Sequence, residues 1–469
     1  MLYSAGCQLK DTIAAIATFP SKSALGVIKI SGRESLHIVS RIFSPKNKKD
    51  IKKAKTFTLH YGWIINKSPV TSYKSKVIDE VLVGIMRAPY SYTREDVVEI
   101  SSHGGILVLN KILDLVLKEG ARLAKPGEFS YRAFVNGRLD LIQAQAISDI
   151  VETKSEKALY SFSQQLKGEF SKKIYIIKAS LKDIFTHLEA SINFPEDNLN
   201  LDLNRIEKSL IKIKNQIYRF ISRSQEGKVF KEGLRCVICG KANAGKSTLF
   251  NRLLKEERVI VTRIAGTTKD VVEETINIRG IPLRIYDTAG ILEPKDLIDR
   301  EAMKRSCKKL EEADIVIFVL DYSRALNRED YILLKSTEAK DIMFVVNKID
   351  LKPKLDIKKL YKFKRPLVKI SALKNIGLKD LEDAIFKMVY TRGIGRQINY
   401  IILAQWQTQI LKEVNNNIEE ALVFIKRGYP VDFLSFSLKP TLEKLAQLTG
   451  EVINQTILNE IFSNFCIGK

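Results

Sequence analysis

Cysteine is sparse in this chain: Cys7, Cys236, Cys239, Cys307 and Cys466 are scattered through 469 residues. Five separated thiols exclude a disulfide framework. Cys236 and Cys239 form a C-x-x-C, but no second pair accompanies them, and they lie in an apolar run leading into a glycine loop. That context favours small buried strand residues over a zinc or redox site. No run of eighteen uncharged apolar residues occurs, which excludes a membrane-spanning helix. Residues Met1 to Phe19 carry Lys10 and Asp11 at their middle and no basic start before an apolar stretch, so they do not read as a secretory signal and point to the cytoplasm. Acidic residues are also short in supply, with 54 Asp and Glu against 77 Lys and Arg, a net charge of +23. Such an excess suits polyanionic partners such as nucleic acid or a ribosomal surface. A general preference for lysine would produce it equally well, because the surplus is diffuse and runs such as 46–55 and 352–369 mark no single groove.

What is present is enough for several folded cores. Hydrophobic residues make up 45% and charged residues 28%, close to a globular average, and the length suggests about three domains. Residues 1–120 mix expected strands at Ala24–Ile30, Val77–Met86 and Asp96–Ile100 with an expected helix at Ile106–Lys118, an α+β module. The period then changes. Leu166, Phe170, Ile174, Ile177, Leu181, Ile184 and Leu188 are three or four residues apart, and Leu203, Ile206, Leu210, Ile213, Ile217 and Phe220 repeat the rhythm after a break at Asn193–Asp197. These are the apolar stripes of long bundle helices. From Leu234 to about Tyr390, β-rich runs alternate with helical segments, and Trp406, Ile410, Val414, Ile418 and Leu422 restart the helical stripe. An α/β domain inserted into a helical domain accounts for this order. The expected organisation is an α+β module at 1–125, a helical part at 126–232, an inserted α/β domain at 233–390 and a second helical part at 391–469.

The inserted block carries the chemistry. Gly240-x4-Gly245-Lys246-Ser247 follows an apolar strand and precedes a helix, the setting of a phosphate-binding loop. Backbone N–H groups of Asn243, Ala244, Gly245 and Thr248 would curl round phosphates. Lys246 would neutralise charge there, and Ser247 would ligate Mg2+. Asp287-Thr288-Ala289-Gly290 ends another strand and would meet the metal shell and the γ-phosphate. Asn347-Lys348-Ile349-Asp350 ends a third, where a buried carboxylate accepts two hydrogen bonds from guanine and none from adenine. Ser371-Ala372-Leu373 would offer backbone N–H to the guanine oxygen. Thr267 and Thr268 lie some twenty residues beyond Ser247, where Thr268 would complete the Mg2+ shell. The ordered set names the ligand as GTP.

One absence within the motifs is informative. Many GTPases carry a glutamine after the D-x-x-G motif to orient water, whereas this chain has Ile291. Water must be oriented by another group, and Glu293, Asp296, Asp299 and Glu301 are nearby in sequence. No arginine finger is identifiable, so positive charge at the β/γ bridge must come from another cation or a partner.

With these motifs between helical halves, the chain resembles the MnmE/TrmE family of tRNA-modification GTPases. The resemblance covers nearly the full length. It includes Gly26–Gly32, Tyr92–Ile100, His103–Gly105, Pro126–Ser130, Arg132–Phe134, Asn136–Asp140, Gln143–Ile147, Gly240–Thr248, Val261–Thr268 and the final Cys466-Ile-Gly-Lys469. It implies a multidomain fold: an α+β folate-binding and dimerisation domain, an α-helical bundle and an inserted P-loop GTPase domain. It implies a homodimer that joins an FAD-dependent MnmG/GidA partner as a heterotetramer. The pair adds an aminomethyl or carboxymethylaminomethyl group to C5 of the wobble uridine of certain tRNAs, with 5-formyltetrahydrofolate or a related folate as one-carbon donor. It further implies hydrolysis stimulated by K+, held by Asn243, Thr262, Ile264 and Thr267, with Thr262 also at the nucleotide, and linked to dimerisation of the GTPase domains. Folate contacts carry over to Lys29, Glu99, Arg138 and Lys469. The family usually has arginine where Lys29 stands, and Lys29 also reads as a solvent-facing strand residue. Cys466 reads equally as a buried tail residue. The residue aligned with the family's water-organising glutamate is Asp299, one methylene shorter, so Lys246, Thr268 and Asp299 are the catalytic candidates; a helix-start carboxylate explains Asp299 as well. The alternative is a GTPase switch in ribosome or RNA assembly.

Overall fold

The computed structural model describes residues 10–66, 76–197, 201–257, 273–287, 310–337, 340–391, 400–466 and 468. The chain divides into two compact units. One comprises Met1–Val151, Ser163–Ile217 and Ala404–Lys469, and the other Glu152–Phe162 and Tyr218–Leu403.

The first unit contains a seven-stranded sheet. Its strands are β1 (Ile13–Ile16), β2 (Ser23–Ser31), β3 (Phe43–Pro45), β4 (Thr58–Asn66), β5 (Lys76–Met86), β6 (Val97–Gly104) and β7 (Arg122–Leu123), in the order β3-β4-β5-β6-β2-β1-β7. Only the β1–β7 pair is parallel. Alternation along β2 sends Ile28 and Ile30 into the core and leaves Val27 and Lys29 on the other face. The helix Ile106–Lys118 begins and ends as its sequence pattern predicts, burying Leu109, Ile112 and Val116 against the sheet.

The helical part of this unit is built on the expected stripes, with two corrections. The helix Glu169–Asn193 buries Phe170, Ile174, Ile177, Leu181, Ile184 and Leu188. Leu166 does not belong to that stripe: it ends the preceding helix, Glu156–Leu166, and Gly168 at φ +84° turns the chain between the two. A spacing of four residues across a glycine imitates continuity. Leu203, expected on the second stripe, is exposed at the first turn of the helix Leu203–Glu232, and Ile206 is the first buried residue. The helices Gln405–Lys426 and Val431–Thr449 complete this part, with Trp406, Ile410, Val414, Ile418 and Leu422 buried as expected.

The second unit holds a six-stranded sheet of β8 (Leu234–Gly240), β9 (Glu273–Ile278), β10 (Ile281–Asp287), β11 (Ile315–Asp321), β12 (Asp341–Asn347) and β13 (Leu367–Lys369), in the order β13-β12-β11-β8-β10-β9. All pairs are parallel except β9–β10. The central strands are continuous apolar runs because both faces are covered, so β8 buries Cys236, Val237, Ile238 and Cys239 together. Burial pushes both thiols up to about 12. Among the described residues no group of three or more His, Cys, Asp or Glu could hold a metal ion. The C-x-x-C is strand packing. Among them, too, no helix is long and apolar enough to cross a membrane.

Candidate functional site

In a parallel sheet of this kind, ligands bind beyond the carboxyl ends of the strands, where the strand order reverses. Gly240, Asp321 and Asn347 end β8, β11 and β12 on that edge, with Val319 opposite Gly240 and Asp321 opposite Asn347. The loop after β8 then turns into the helix Lys246–Glu257.

Its backbone requires the residues it has. Asn243 sits at φ +61° and Gly245 at φ +93°. A Cβ on Gly245 would lie 2.2 Å from Asn347 Nδ2, and one on Gly240 2.3 Å from the Val319 carbonyl oxygen. The loop is thereby packed against the strand ends, curled at the start of a helix whose N-terminal N–H groups favour an anion. Lys246 is buried and its Nζ donates to the Lys241 carbonyl at 2.8 Å. Ser247 is exposed at the helix start, a hard oxygen donor suited to Mg2+.

Asn347 holds three expected motifs together. Its Nδ2 donates to the Ala244 carbonyl at 2.9 Å, and its Oδ1 accepts from the N–H groups of Lys348 at 2.8 Å and Ala372 at 3.0 Å. Lys348 Nζ reaches the Asn243 carbonyl at 2.6 Å and Asp321 Oδ2 at 2.7 Å. Burial opposes ionisation of Asp321, but the hydrogen bonds from Lys348 and Ser323 hold its carboxyl below the usual range. The Ala372 N–H, expected to serve the guanine oxygen, here fixes the asparagine side chain, a second duty for that turn. Arg252, on the helix after the phosphate loop, donates to the carbonyls of Ala372 at 3.1 Å and Leu373 at 3.0 Å.

Asp350 departs from expectation in one respect: it is half-exposed rather than buried. Ser371 Oγ donates to its Oδ1 at 2.6 Å, and that hydrogen bond holds the carboxyl below its ordinary value. A carboxylate fixed in position and fully ionised is the group that accepts a pair of guanine N–H donors. Sequence reasoning missed Asp321 and Arg252. Asp321 was detectable as the carboxylate that ends an unbroken apolar run. Nothing in the sequence marked Arg252.

The first unit assembles a second cluster. Lys29 and Glu99 are register partners on β2 and β6, and Lys29 Nζ lies 3.6 Å from Glu99 Oε1. The ammonium also faces the rings of Tyr92 at 5.5 Å and Phe129 at 5.6 Å, and the Arg138 guanidinium stacks 4.6 Å from the Tyr92 centroid. The Tyr92 hydroxyl shares a hydrogen bond with Ser130 Oγ at 2.7 Å, and burial pushes its pKa up. Three of the four expected folate contacts are thus gathered round an aromatic pair, with a carboxylate and two cations as the polar groups a pterin and a glutamate tail need. Tyr92 and Phe129 are ring contributors that sequence reasoning quoted in its motifs without assigning. Lys29 also reads from sequence as a solvent-facing strand residue; its side chain is instead half-buried in a cross-strand ion pair with Glu99.

Near the chain's end, Gly468, at φ +96°, approaches β1 so closely that a Cβ would meet the Ala17 Cα and the Ile16 carbonyl oxygen at 2.8 Å. β1 pairs with β2, with Ala15 opposite Lys29. Gly468 therefore lies against the end of the strand that pairs with the Lys29 strand. Cys466, expected as a buried tail residue, is exposed.

Lys469 and, in the second unit, Thr262, Ile264, Thr267, Thr268, Thr288, Ala289, Gly290, Ile291, Glu293, Asp296, Asp299 and Glu301 lie outside the described residues.

Comparison with known proteins converges on one family. A family model described as GTP-binding protein TrmE N-terminus matches residues 12–138, and one described as MnmE helical domain matches 141–466. A tRNA modification GTPase MnmE from Thermoanaerobacter pseudethanolicus is 43% identical over 98% of this chain and 99% of its own length. Proteins of the same name from Alkaliphilus oremlandii and Bacillus subtilis are 39% and 38% identical, each covered along 100% of its length by 98% of this chain. Among solved structures, the G domain of the T. maritima FeoB iron transporter is 26% identical, covering 33% of this chain and 97% of that one at a TM-score of 0.27. Era in complex with MgGDPNP and a segment of 16S ribosomal RNA is 26% identical, covering 39% and 66% at a TM-score of 0.28. Scores that low add no weight to the family matches.

Proposed function

The chain belongs to the MnmE/TrmE family of tRNA modification GTPases, and from that premise we propose how its residues divide the work. It is a GTP hydrolase in tRNA modification, built from a TrmE-type N-terminal module, a helical domain and a P-loop GTPase domain. We assign the domains to 1–125, 126–232, 233–390 and 391–469.

Asp350 reads guanine, in a turn braced by Ser371, Asn347 and Arg252. The backbone from Asn243 to Thr248 cradles the phosphates, and Lys246 turns from the Lys241 carbonyl toward their charge. Thr288, Ala289 and Gly290 are assigned to the γ-phosphate, and Asp299 to the attacking water. Mg2+, when bound by Ser247 and Thr268, neutralises charge on the β- and γ-phosphates. K+, when bound by Asn243, Thr262, Ile264 and Thr267, supplies the positive charge that an arginine finger supplies elsewhere. The left-handed backbone of Asn243 and the hydrogen bond from Lys348 Nζ to its carbonyl support that duty.

In the first unit, Lys29, Glu99, Arg138 and Lys469 hold a folate against Tyr92. The folate, when bound, supplies the one-carbon unit for C5 of the wobble uridine. The protein acts as a cytoplasmic homodimer with an FAD-dependent MnmG/GidA partner, and hydrolysis is linked to pairing of the two GTPase domains. A lone GTPase domain without a catalytic glutamine or finger lacks groups that pairing would help to order.

The observation that carries this reading is the convergence of the phosphate loop, the Asn347–Asp350 turn and the Ser371–Leu373 turn on one side chain, Asn347, within a chain matched along its whole length by MnmE proteins. The test is mass spectrometry of tRNA nucleosides from a strain lacking the protein. Loss of the C5-modified wobble uridine supports the reading, and an unchanged nucleoside profile sinks it.

A further inference from the structure

The segment 352–369 carries eight lysines and arginines against one acidic residue, Asp356. The GTPase motifs use none of them. In the second unit this segment folds beside the helix Arg328–Thr337, and together they enclose a cavity of about 520 Å³.

The cavity has a floor and a rim of different chemistry. Leu334, Ile342 and Phe344 form the buried floor, and the Phe363 ring meets Phe344 edge-on at 5.8 Å. Lys335 and Lys362 stand exposed on the rim, with Arg365 half-buried beside them and Tyr331 presenting its ring to solvent. The site is remote from the nucleotide. Ile342 lies near the start of β12 and Asn347 at its end, about 16 Å apart at 3.3 Å per residue.

Cations alternating with aromatic faces are the pattern by which proteins hold exposed nucleotides: phosphates on the cations, bases or riboses on the rings. A solvated lysine run needs no apolar hollow behind it. An apolar docking face for a neutral partner needs no ring of cations. We propose that this cavity is a tRNA-docking site, taking phosphates on Lys335 and Lys362 and a base or ribose against Phe363 and Tyr331. The proposal rests on the reading of the chain as acting on tRNA and adds where on the GTPase domain the RNA is held.

The test is tRNA binding by the full-length protein across a salt series, comparing wild type with Lys335→Glu/Lys362→Glu. A second pair, Lys379→Glu/Lys387→Glu, makes the same change of charge at exposed positions on the helix Leu378–Thr391 of the same domain. The cavity pair is expected to weaken tRNA binding about tenfold or more and to flatten the slope of log affinity against log salt by about one to two, one phosphate contact per lysine. The second pair is expected to weaken binding by no more than about threefold, the share of a diffuse field. GTP affinity is expected to stay at the wild-type value in both, which shows that the domain is folded. Ultraviolet crosslinking of bound tRNA is expected to label peptides that contain Tyr331 or Phe363. Equal weakening by the two pairs, or unchanged tRNA affinity in the cavity pair, overturns the proposal while leaving the tRNA reading intact, including where the cavity pair instead loses an acidic protein. Failure of wild-type protein to bind tRNA overturns both.

Discussion

Asp350, the residue we propose reads guanine, accepts a hydrogen bond from the Ser371 hydroxyl at 2.6 Å, which fixes the carboxylate and favours its charged form. In Asp350→Asn one of the two acceptors becomes a donor, so the guanine edge meets a like group. GTP affinity should fall on the order of tenfold or more, the loss of a charge-assisted hydrogen bond, while xanthosine triphosphate gains. Competition titrations read both changes, and equal GTP affinity in the variant would refute the assignment. The motif letters alone singled out Asp350 as the proposed base reader, because the chemistry of base reading leaves few residue types to choose from. They did not show that it would stand half-exposed. Exposure depends on the turn's distance from the sheet, and no local pattern encodes that. Arg252 was illegible for a related reason. It looks like any helix-surface arginine until the fold brings the carbonyls of Ala372 and Leu373 to it.

Among elements, the N-terminal sheet and the helix Glu128–Val135 are joined by an ion network that is buried at Arg132 and Glu128 and open to solvent at Asp11 and Arg122. Arg132, with no exposed surface, meets Asp11 Oδ1 at 2.7 Å, Glu128 Oε1 at 3.0 Å and Glu95 Oε1 at 3.1 Å, and Arg122 meets Glu128 Oε1 at 2.6 Å. Burial opposes the charge of Glu128. Hydrogen bonds from Arg122, the Lys125 N–H and Arg132 outweigh it and hold the carboxyl below its ordinary 4.5. Asp11 is held below its ordinary 3.8 in the same way, against burial, by Arg122 and Arg132. A folded-state pKa below the unfolded one gives stability that is fully present above the unfolded value and lost as pH falls through the folded one. The network therefore stabilises this unit above about pH 4.5 and weakens in more acid solution. Glu128→Gln removes one of the three carboxylates that face Arg132, leaves Asp11 and Glu95 in place, and should cost about 1.5–3 kcal/mol, the scale of hydrogen bonds to a charged group. Urea melts at pH 7 and in more acid buffer check this: the loss should shrink toward acid pH, and a loss that is constant with pH would contradict the network's role. Elements were the most legible level of the sequence. Helix Ile106–Lys118 and the strands around the nucleotide motifs follow directly from periodicity and apolar runs. The error at Leu166 arose because spacing carries no record of backbone direction, and Gly168 changes that direction without disturbing the count.

At the scale of the whole molecule, the order of the elements was readable: helical stripes on both sides of an α/β block signal an insertion. The pairing of Lys29 with Glu99 was not, because nothing in an α+β sequence announces which strands become neighbours. The same scale carries the potassium proposal. With no arginine finger identifiable in the sequence, we propose that hydrolysis draws positive charge at the β/γ bridge from an ion or a second subunit. GTP turnover by the full-length protein should be at least about tenfold faster in KCl than in NaCl, the order of one transition-state charge contact. Equal rates in the two salts would remove K+ from the site. The central claim is narrower and can be tested more directly: the second unit is a guanine-nucleotide cradle. Purified protein in Mg2+ and K+ should retain labelled GTP on a filter, unlabelled GTP should displace it, and ATP at a hundredfold excess should not. Failure to retain GTP, or displacement by ATP as effective as by GTP, would contradict it.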